Sequence, residues 1–190
     1  SIHIQDYVNL GSTEELSNPA GLALIDMIDP YSYRDKYTLP KMVFLGTNDE
    51  FWTVDAVKNY IDGIPGETYT SYVTNAGHGL GHDAFVSLEA FFHQTIHGTK
   101  YPRMDYKVKK QDGKAELNFN ADKELLEDVL VWEAYSDDKD FRPKKFEPSR
   151  LGISAKANFS VEVAYPKKGY KAFMVMLKYK HPSISGATYN

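Results

Sequence analysis

The 190-residue sequence contains no cysteine, which excludes disulfide bonds, thiolate metal ligands and cysteine nucleophiles. It has no apolar run as long as a membrane span. It also lacks an excess of basic residues, because the formal net charge is -4 and the isoelectric point is near 5.9. We therefore expect neither nucleic-acid binding nor a membrane-spanning helix.

The sequence does have enough apolar residues for a packed core, since 42% are hydrophobic and 14% are aromatic. Up to about residue 99 the pattern alternates between helix and strand. Asn18 and Pro19 are typical of the cap and the first residue of a helix, which we expect to run through Ile28. Residues 41–46 are short and apolar, as in a strand buried on both faces, and residues 67–74 predict a second strand.

Two more helices are expected next to the second strand. Thr53 is a suitable cap for a helix that connects the two strands. Asp83 is a suitable cap for a helix that follows the second strand and ends at Gly98. The large apolar residues of this last helix recur at helical spacing, and we expect them to face the core: Phe85, Leu88, Phe92 and Ile96.

Beyond about residue 100 the helical period disappears and short strands follow one another. Asp112-Gly113 predicts an exposed hairpin turn. Residues 129–135 indicate a central strand with Trp132 buried, and Phe173 is expected to be buried as well. Residues 159–165 and 170–180 are expected to pair across the turn between them. The pattern favours a small antiparallel β-sandwich of the Ig-like kind.

These textures predict an α/β fold class with two domains, a partial α/β domain at residues 1–99 and a β-sandwich domain at residues 100–190. Two parallel strands with three helices form only about half of a doubly wound sheet and leave a sheet edge open. Residues 184–190 begin a turn and predict no closing strand. We therefore expect either a fragment cropped at both ends or a chain that assembles with its missing half.

The residues that carry chemistry follow the two predicted strands. Asp49 comes directly after the first strand in Gly-Thr-Asn-Asp, and His78 comes after the second in Asn-Ala-Gly-His-Gly. A right-handed crossover places both side chains at one edge of the sheet. An aspartate bound to the Nδ1–H of a histidine leaves Nε2 free to deprotonate a serine. The order of acid and then histidine, late in the chain, is that of α/β-hydrolases.

Simpler interpretations of these loops exist. Asp49 could cap the next helix, and Gly-His-Gly could be an ordinary turn. Because Thr53 is the expected cap, we favour Asp49 as the partner of His78. His78 and His82 form one pair, and His93 and His97 form another, each with the four-residue spacing that suits a metal on a helix. Neither pair has an obvious third ligand. We therefore expect no metal and no other cofactor.

Three motifs together resemble the PhoPQ-activated pathogenicity-related protein family: DPYSYRD at residues 29–35, GTNDEFWTVDA at residues 46–56 and NAGH at residues 75–78. The resemblance implies a secreted or periplasmic protein with an α/β-hydrolase core followed by a β-rich domain. It implies that Asp49 and His78 are the acid and base of a catalytic triad. Trp52 resembles a family position that could line the substrate pocket, although a packing role is equally expected. Glu50 departs from the proline of many members.

The resemblance also implies a serine nucleophile on an elbow well upstream, in sequence that this chain does not contain. No Gly-x-Ser-x-Gly motif occurs. Ser154 matches only half of the motif and lies in residues 100–190, which we call the β region. Our first interpretation is therefore part of a serine hydrolase for a small peptide or ester substrate, whose partner is the missing N-terminal hydrolase half in the same or a separate chain. The alternative is a non-catalytic secreted signalling or binding protein on the same fold.

Overall fold

A computed structural model describes residues 4–154 and 158–190. Helices and strands are mixed along the chain, which places the protein in the α/β class. The α-helices are α1 (Gln5–Asn9), α2 (Ser12–Glu15), α3 (Pro19–Ile28) and α4 (His82–Ile96). The strands are β1 (Lys41–Gly46), β2 (Thr68–Val73), β3 (Met104–Gln111), β4 (Lys114–Ala121), β5 (Leu126–Ser136), β6 (Glu147–Arg150), β7 (Asn158–Ala164), β8 (Tyr170–Lys180) and β9 (Thr188–Tyr189).

The two strands predicted in the first region are present and parallel. Strand β1 pairs with β2 in a register that runs from Lys41 opposite Thr68 to Gly46 opposite Val73. The expectation that residues 41–46 are buried on both faces is wrong, because Lys41 to Leu45 are only half-buried. In the part of the chain described here, β1 and β2 form a two-stranded sheet whose faces are only partly covered, and one edge of β1 has no neighbouring strand.

Helix α3 begins where the sequence predicts. The side chain of Asn18 accepts a hydrogen bond from the backbone N–H of Gly21 at 2.9 Å, and Pro19 is the first helical residue. The helix ends at Ile28. Asp29 then caps a 3₁₀ helix by accepting from the N–H of Tyr31 at 2.9 Å. The cap and the proline therefore define this helix locally.

The helix predicted between the two strands is not an α-helix. The segment forms two 3₁₀ helices, Val54–Asn59 and Ile61–Gly63, and the side chain of Thr53 makes no capping hydrogen bond to the backbone. Only Val57 of the first 3₁₀ helix is buried. The expectation that Thr53 is the helix cap is therefore wrong, and it cannot be used to argue that Asp49 is free to bind His78. The role of Asp49 follows from its own contacts.

Helix α4 faces the interior with a different side from the one predicted. Its buried residues are small or polar, namely Ala84, Ser87, Ala90 and Gln94. The large apolar residues expected in the core are exposed, namely Phe85 at 67%, Leu88 at 45%, Phe92 at 62% and Ile96 at 61%. The expected cap at Asp83 is also wrong, because Gly81 holds the N-cap position without a side-chain hydrogen bond. The small residues let α4 approach the sheet and the C-terminal strand closely.

The second region contains two antiparallel sheets, ordered β3-β4-β7 and β6-β5-β8-β9. The hairpin with an exposed turn at Asp112-Gly113 is confirmed. The expected pairing of residues 159–165 with 170–180 is wrong, because β7 pairs with β4 while β8 pairs with β5. The chain therefore crosses from one sheet to the other after β7. Buried side chains of both sheets belong to one hydrophobic cluster.

Two other expectations for this region need correction. Trp132 and Phe173 are half-buried, because both lie on paired strands whose faces are only partly covered. Residues 184–190 do include a closing strand, since β9 pairs with the end of β8. Tyr189 of β9 is 1% exposed, and its ring packs near those of Tyr101 and Tyr179. Aromatic burial thus stabilises this short strand.

A polar contact joins α4 to the turn that follows β8. The His181 side chain is fully buried, and its Nδ1 accepts from the backbone N–H groups of Ser183 at 3.3 Å and Ile184 at 3.0 Å. Because Nδ1 is an acceptor, Nε2 carries the proton and donates to Glu89 at 2.7 Å. Ser183 also donates to Glu89, at 2.8 Å. This contact holds the end of the chain against the helix.

We predict that His181→Ala lowers the free energy of unfolding by about 1–3 kcal/mol, because two backbone N–H groups lose their buried acceptor. Urea unfolding followed by circular dichroism measures the change. Ser185→Ala, in the same turn but exposed, is the control and should leave the value unchanged. An unchanged free energy in His181→Ala would show that this contact does not stabilise the fold.

Candidate active site

Asp49 organises the loop that follows β1. Its Oδ1 atom accepts hydrogen bonds from the backbone N–H groups of Phe51 at 2.8 Å and Trp52 at 3.0 Å. A short side chain that binds N–H groups two and three residues later fixes a turn. Asp49 therefore holds its own loop with one oxygen and has the other available for a second partner.

The loop that carries His78 approaches the end of β1 very closely. A Cβ atom at Gly46 would lie 2.5 Å from the Ala76 carbonyl oxygen and 2.6 Å from that of Gly77, so only glycine fits there. Asn75 begins the loop with a φ of 57°, a left-handed conformation that asparagine tolerates better than most residues. The loop therefore folds back over the end of the neighbouring strand.

The two loops bring Asp49 and His78 together. Asp49 Oδ2 lies 3.0 Å from His78 Nδ1, as expected from the strand ends. Because an ionised carboxylate can only accept, Nδ1 carries the proton, and Nε2 of the neutral ring is an acceptor. The His78 side chain is 53% exposed, whereas that of Asp49 is 12% exposed. The ring of Phe51 lies 4.8 Å from the His78 ring, centre to centre. The pair is thus a shielded carboxylate that orients an accessible imidazole.

The environment favours the ionised form of Asp49. Burial raises the pKa of this carboxyl, but the hydrogen bonds from the Trp52 N–H, from His78 and from the Phe51 N–H lower the pKa by more. The net result is a pKa below the ordinary aspartate value. An ionised carboxylate at this place is what a histidine general base needs for its orientation.

The structure adds residues that the sequence did not single out for the site. Glu50 Oε2 accepts from the backbone N–H of His78 at 3.2 Å, which ties the histidine loop to the aspartate loop. Thr47, 4% exposed, accepts from the N–H of Asn75 and donates to the Asn48 side chain, at 2.8 Å in each case. The sequence shows that polar residues follow both strands. Which of these residues bridge the two loops depends on the register in which β1 pairs with β2.

Other residues considered in the sequence lie apart from the pair or contribute differently. Trp52 offers its backbone N–H to Asp49, and its side chain is 61% exposed instead of packed. The rings of His93 and His97 lie 4.3 Å apart on and just after α4. No three metal-binding side chains converge within residues 4–154 and 158–190. A cleft of about 780 Å³ runs between β2, β3 and β8, and its lining includes neither Asp49 nor His78.

Comparisons with known proteins place this α/β chain in a family. Residues 1–142 match the family model for the PhoPQ-activated pathogenicity-related protein. The chain belongs to that family, as the three sequence motifs indicated. It is also 26% identical over 217 aligned residues to autocrine proliferation repressor protein A of Dictyostelium discoideum, an alignment that covers 97% of this chain and 42% of that protein. The chain thus spans less than half the length of this relative. No solved structure matches significantly.

We predict that Asp49→Asn destabilises the protein at neutral pH and that the difference from the wild type shrinks in acid. Because the pKa of Asp49 is lower in the folded protein than in the unfolded chain, the ionised carboxylate stabilises the fold above the ordinary aspartate pKa. This contribution is lost as the pH falls through the lowered pKa. Urea unfolding across a pH series measures it.

Asp112→Asn, in the exposed hairpin turn, is the charge-matched control and should leave the pH profile of stability unchanged. A constant difference between wild type and Asp49→Asn at every pH would contradict the assignment of an ionised, hydrogen-bonded Asp49. The asparagine keeps the shape of the side chain and can still accept from the loop N–H groups through Oδ1, whereas its NH₂ group cannot accept from His78 Nδ1. The variant therefore removes both the charge and the acceptor of the histidine.

Proposed function

We propose that this chain is the C-terminal part of a serine-hydrolase-type protein that cleaves a peptide or ester bond. In this proposal His78 is the general base, Asp49 orients it, and a serine outside the chain is the nucleophile. The single observation that supports the proposal most strongly is the 3.0 Å contact between Asp49 Oδ2 and His78 Nδ1 at the ends of adjacent parallel strands. Both the accessible ring and the shielded acid fit the roles of a triad.

The position of the pair agrees with the proposed fold. Sites in open α/β sheets lie outside the carboxyl ends of the strands, where Asp49 and His78 lie. We propose that residues 1–99 form the last part of an α/β-hydrolase sheet and that residues 100–190 form an Ig-like β-sandwich. The shared hydrophobic cluster of the two antiparallel sheets supports the second assignment.

In this proposal the serine lies on a partner segment, and two surface features support a contact with it. One edge of β1 has no strand beside it in the described residues. The outer face of α4 exposes Phe85, Phe92 and Ile96, each more than 60% accessible. Apolar patches of this kind mark contact surfaces. We propose that the N-terminal hydrolase half, in the same or a separate chain, covers this edge and this helix face and brings the serine to His78 Nε2.

The exposed side of the pair suggests where the substrate lies. Trp52 presents an accessible indole three residues after Asp49, and Phe51 packs beside the His78 ring. In the proposal Trp52 contacts an apolar group of the peptide or ester substrate. No helix among residues 4–154 and 158–190 is long and apolar enough to cross a membrane. Membership of a pathogenicity-related family supports a secreted or periplasmic location.

A second candidate function is a secreted signalling or binding protein that keeps the hydrolase fold without turnover. The observation that favours it is the name of the relative from Dictyostelium discoideum, which describes an autocrine repressor of proliferation. A binding protein needs the shape of the fold, whereas an enzyme also needs Nε2 of His78 as a proton acceptor. The two candidates therefore differ in their sensitivity to a change at His78.

We predict that the complete protein reacts with a fluorophosphonate probe and hydrolyses ester or peptide substrates, and that His78→Ala lowers kcat by ~10⁴–10⁶-fold. His82→Ala, close in sequence but outside the pair, is the matched control and should retain activity. The isolated 190-residue chain should neither label nor turn over substrate, because it lacks the nucleophile. Specific labelling of the isolated chain would place the nucleophile among its own serines and overturn this assignment.

The proposed contact surface predicts a difference between the complete protein and the isolated chain. Phe92→Ala should cost about 3–5 kcal/mol of unfolding free energy in the complete protein, where the side chain is buried, and little in the isolated chain. Tyr106→Ala, an aromatic substitution at a residue that is 63% exposed on β3, is the control and should cost little in both. Equal effects of Phe92→Ala in the two proteins would exclude α4 as the contact surface.

A further inference from the structure

The β region contacts both loops of the candidate site through one segment, residues 141–146, which we call the clamp segment. It follows β5 and leads directly into β6. The side-chain amide of Asn48, which precedes Asp49, points its Nδ2 group at three backbone carbonyl oxygens of the clamp segment. The distances are 3.3 Å to Phe141, 2.8 Å to Arg142 and 2.6 Å to Lys144. The aspartate loop is therefore anchored in the β region.

The histidine loop is anchored in the same segment. Asn75 Nδ2 donates to the Phe146 carbonyl oxygen at 2.9 Å, and Asn75 Oδ1 accepts from the Phe146 N–H at 2.7 Å. This reciprocal pair satisfies both polar backbone groups of Phe146, a residue that is only 3% exposed. Leaving such groups without partners would be costly. Asn75 is thus bound to the clamp segment by two hydrogen bonds.

The two asparagines belong to one network. The buried hydroxyl of Thr47 donates to Asn48 Oδ1 and accepts from the N–H of Asn75, each at 2.8 Å. The bond from Thr47 also fixes the orientation of the Asn48 amide, because Oδ1 is the acceptor and Nδ2 must face the carbonyl oxygens. A displacement of the clamp segment would therefore displace both loops together.

The clamp segment is itself held in shape. Asp140, just before it, accepts from the N–H of Arg142 at 3.1 Å and forms an ion pair with the Arg142 guanidinium at 2.6 Å. Ser136, which is fully buried at the end of β5, places its hydroxyl 3.0 Å from the Asp140 carbonyl oxygen. The rings of Phe141 and Phe146 lie 6.4 Å apart at the two ends of the segment. The segment is therefore a preformed turn on the β region.

We infer that the clamp segment aligns Asp49 with His78 and that Asn48 and Asn75 are the positioning residues that transmit this alignment. The inference rests on the proposed function, since it assigns the β region a role in the same site. Neither asparagine touches the Asp49–His78 contact itself. Each holds the backbone from which one member of the pair projects. Displacement of a reacting group by about 1 Å can cost ~10²-fold in rate.

The test uses the complete protein with Asn48→Leu and Asn75→Gly. Leucine keeps the branched shape of Asn48 without the amide, and glycine accepts the left-handed backbone of Asn75 without its side chain. We expect kcat to fall ~10–100-fold in each variant and KM to change less, because neither asparagine is part of the proposed substrate contact. Val163→Ala, which loosens the core at β7 away from the site and from α4, is the control and should leave kcat unchanged.

A second measurement does not depend on turnover. In protein labelled with ¹⁵N-histidine, the Nδ1 proton bound to Asp49 gives a low-field signal that is identified by its loss in Asp49→Asn. We expect this proton to exchange with water faster in Asn48→Leu and Asn75→Gly and to be unaffected in Val163→Ala. If one asparagine variant does not fold, the other gives both measurements. A double variant should cost less than the product of the two single effects, because both residues hold one segment.

The outcomes separate the two proposals. If the wild-type protein is inert while the exchange rates respond as expected, the proposed hydrolase function fails and the positioning role stands. If the wild-type protein is active but both variants keep wild-type kcat and exchange rates, the positioning inference is overturned and the function stands. A loss of activity equally large in Val163→Ala would also overturn the inference, because it would show a general effect of stability.

Discussion

The candidate site depends on one constraint, the register in which β1 pairs with β2. Gly46 lies opposite Val73, so the two strands end at the same level of the sheet. Asp49 comes three residues after the end of β1, and His78 comes five residues after the end of β2. The longer loop has to fold back over Gly46, where any side chain would collide with the carbonyl groups above it. One strand register and one glycine therefore bring the loops of the acid and the histidine to the same end of the sheet.

Local signals explain which parts of the fold could be predicted from the sequence. The cap at Asn18, the presence of a strand at residues 41–46 and the Asp112-Gly113 turn each depend on a few neighbouring residues, and each matches the structure, although the burial expected for that strand does not. The pairing of β7 could not be deduced in this way. The turn between β7 and β8 suggested a hairpin, but the partner of β7 is decided by burial of its alternating residues Phe159, Val161 and Val163 against the other sheet. Such contacts join residues that are distant in the sequence, so the sequence of the turn does not reveal them.

Helix α4 shows why periodicity alone selected the wrong face. The helix carries two stripes, one of small or polar residues and one of large apolar residues. The apolar periodicity of the sequence follows the large residues, whereas close packing against a strand favours the small ones. The buried Gln94 reaches the hydroxyl of Tyr189 at 2.9 Å, so a polar residue on the inner face has a specific partner. A helix with two such stripes is suited to a position between two layers of structure. This agrees with the proposal that the outer face of α4 contacts the missing hydrolase half.

The choice of amide side chains in the loops has a physical consequence for the pair. Asn48 binds three carbonyl oxygens next to Asp49, a task that a lysine ammonium could also perform. A positive charge there would compete with His78 for the carboxylate of Asp49. A neutral amide adds no charge, so the carboxylate interacts with the histidine and the loop N–H groups. Asn75 likewise joins the β region without adding charge beside His78. The amides can thus fix the positions of the acid and the base without themselves adding a charge beside either residue.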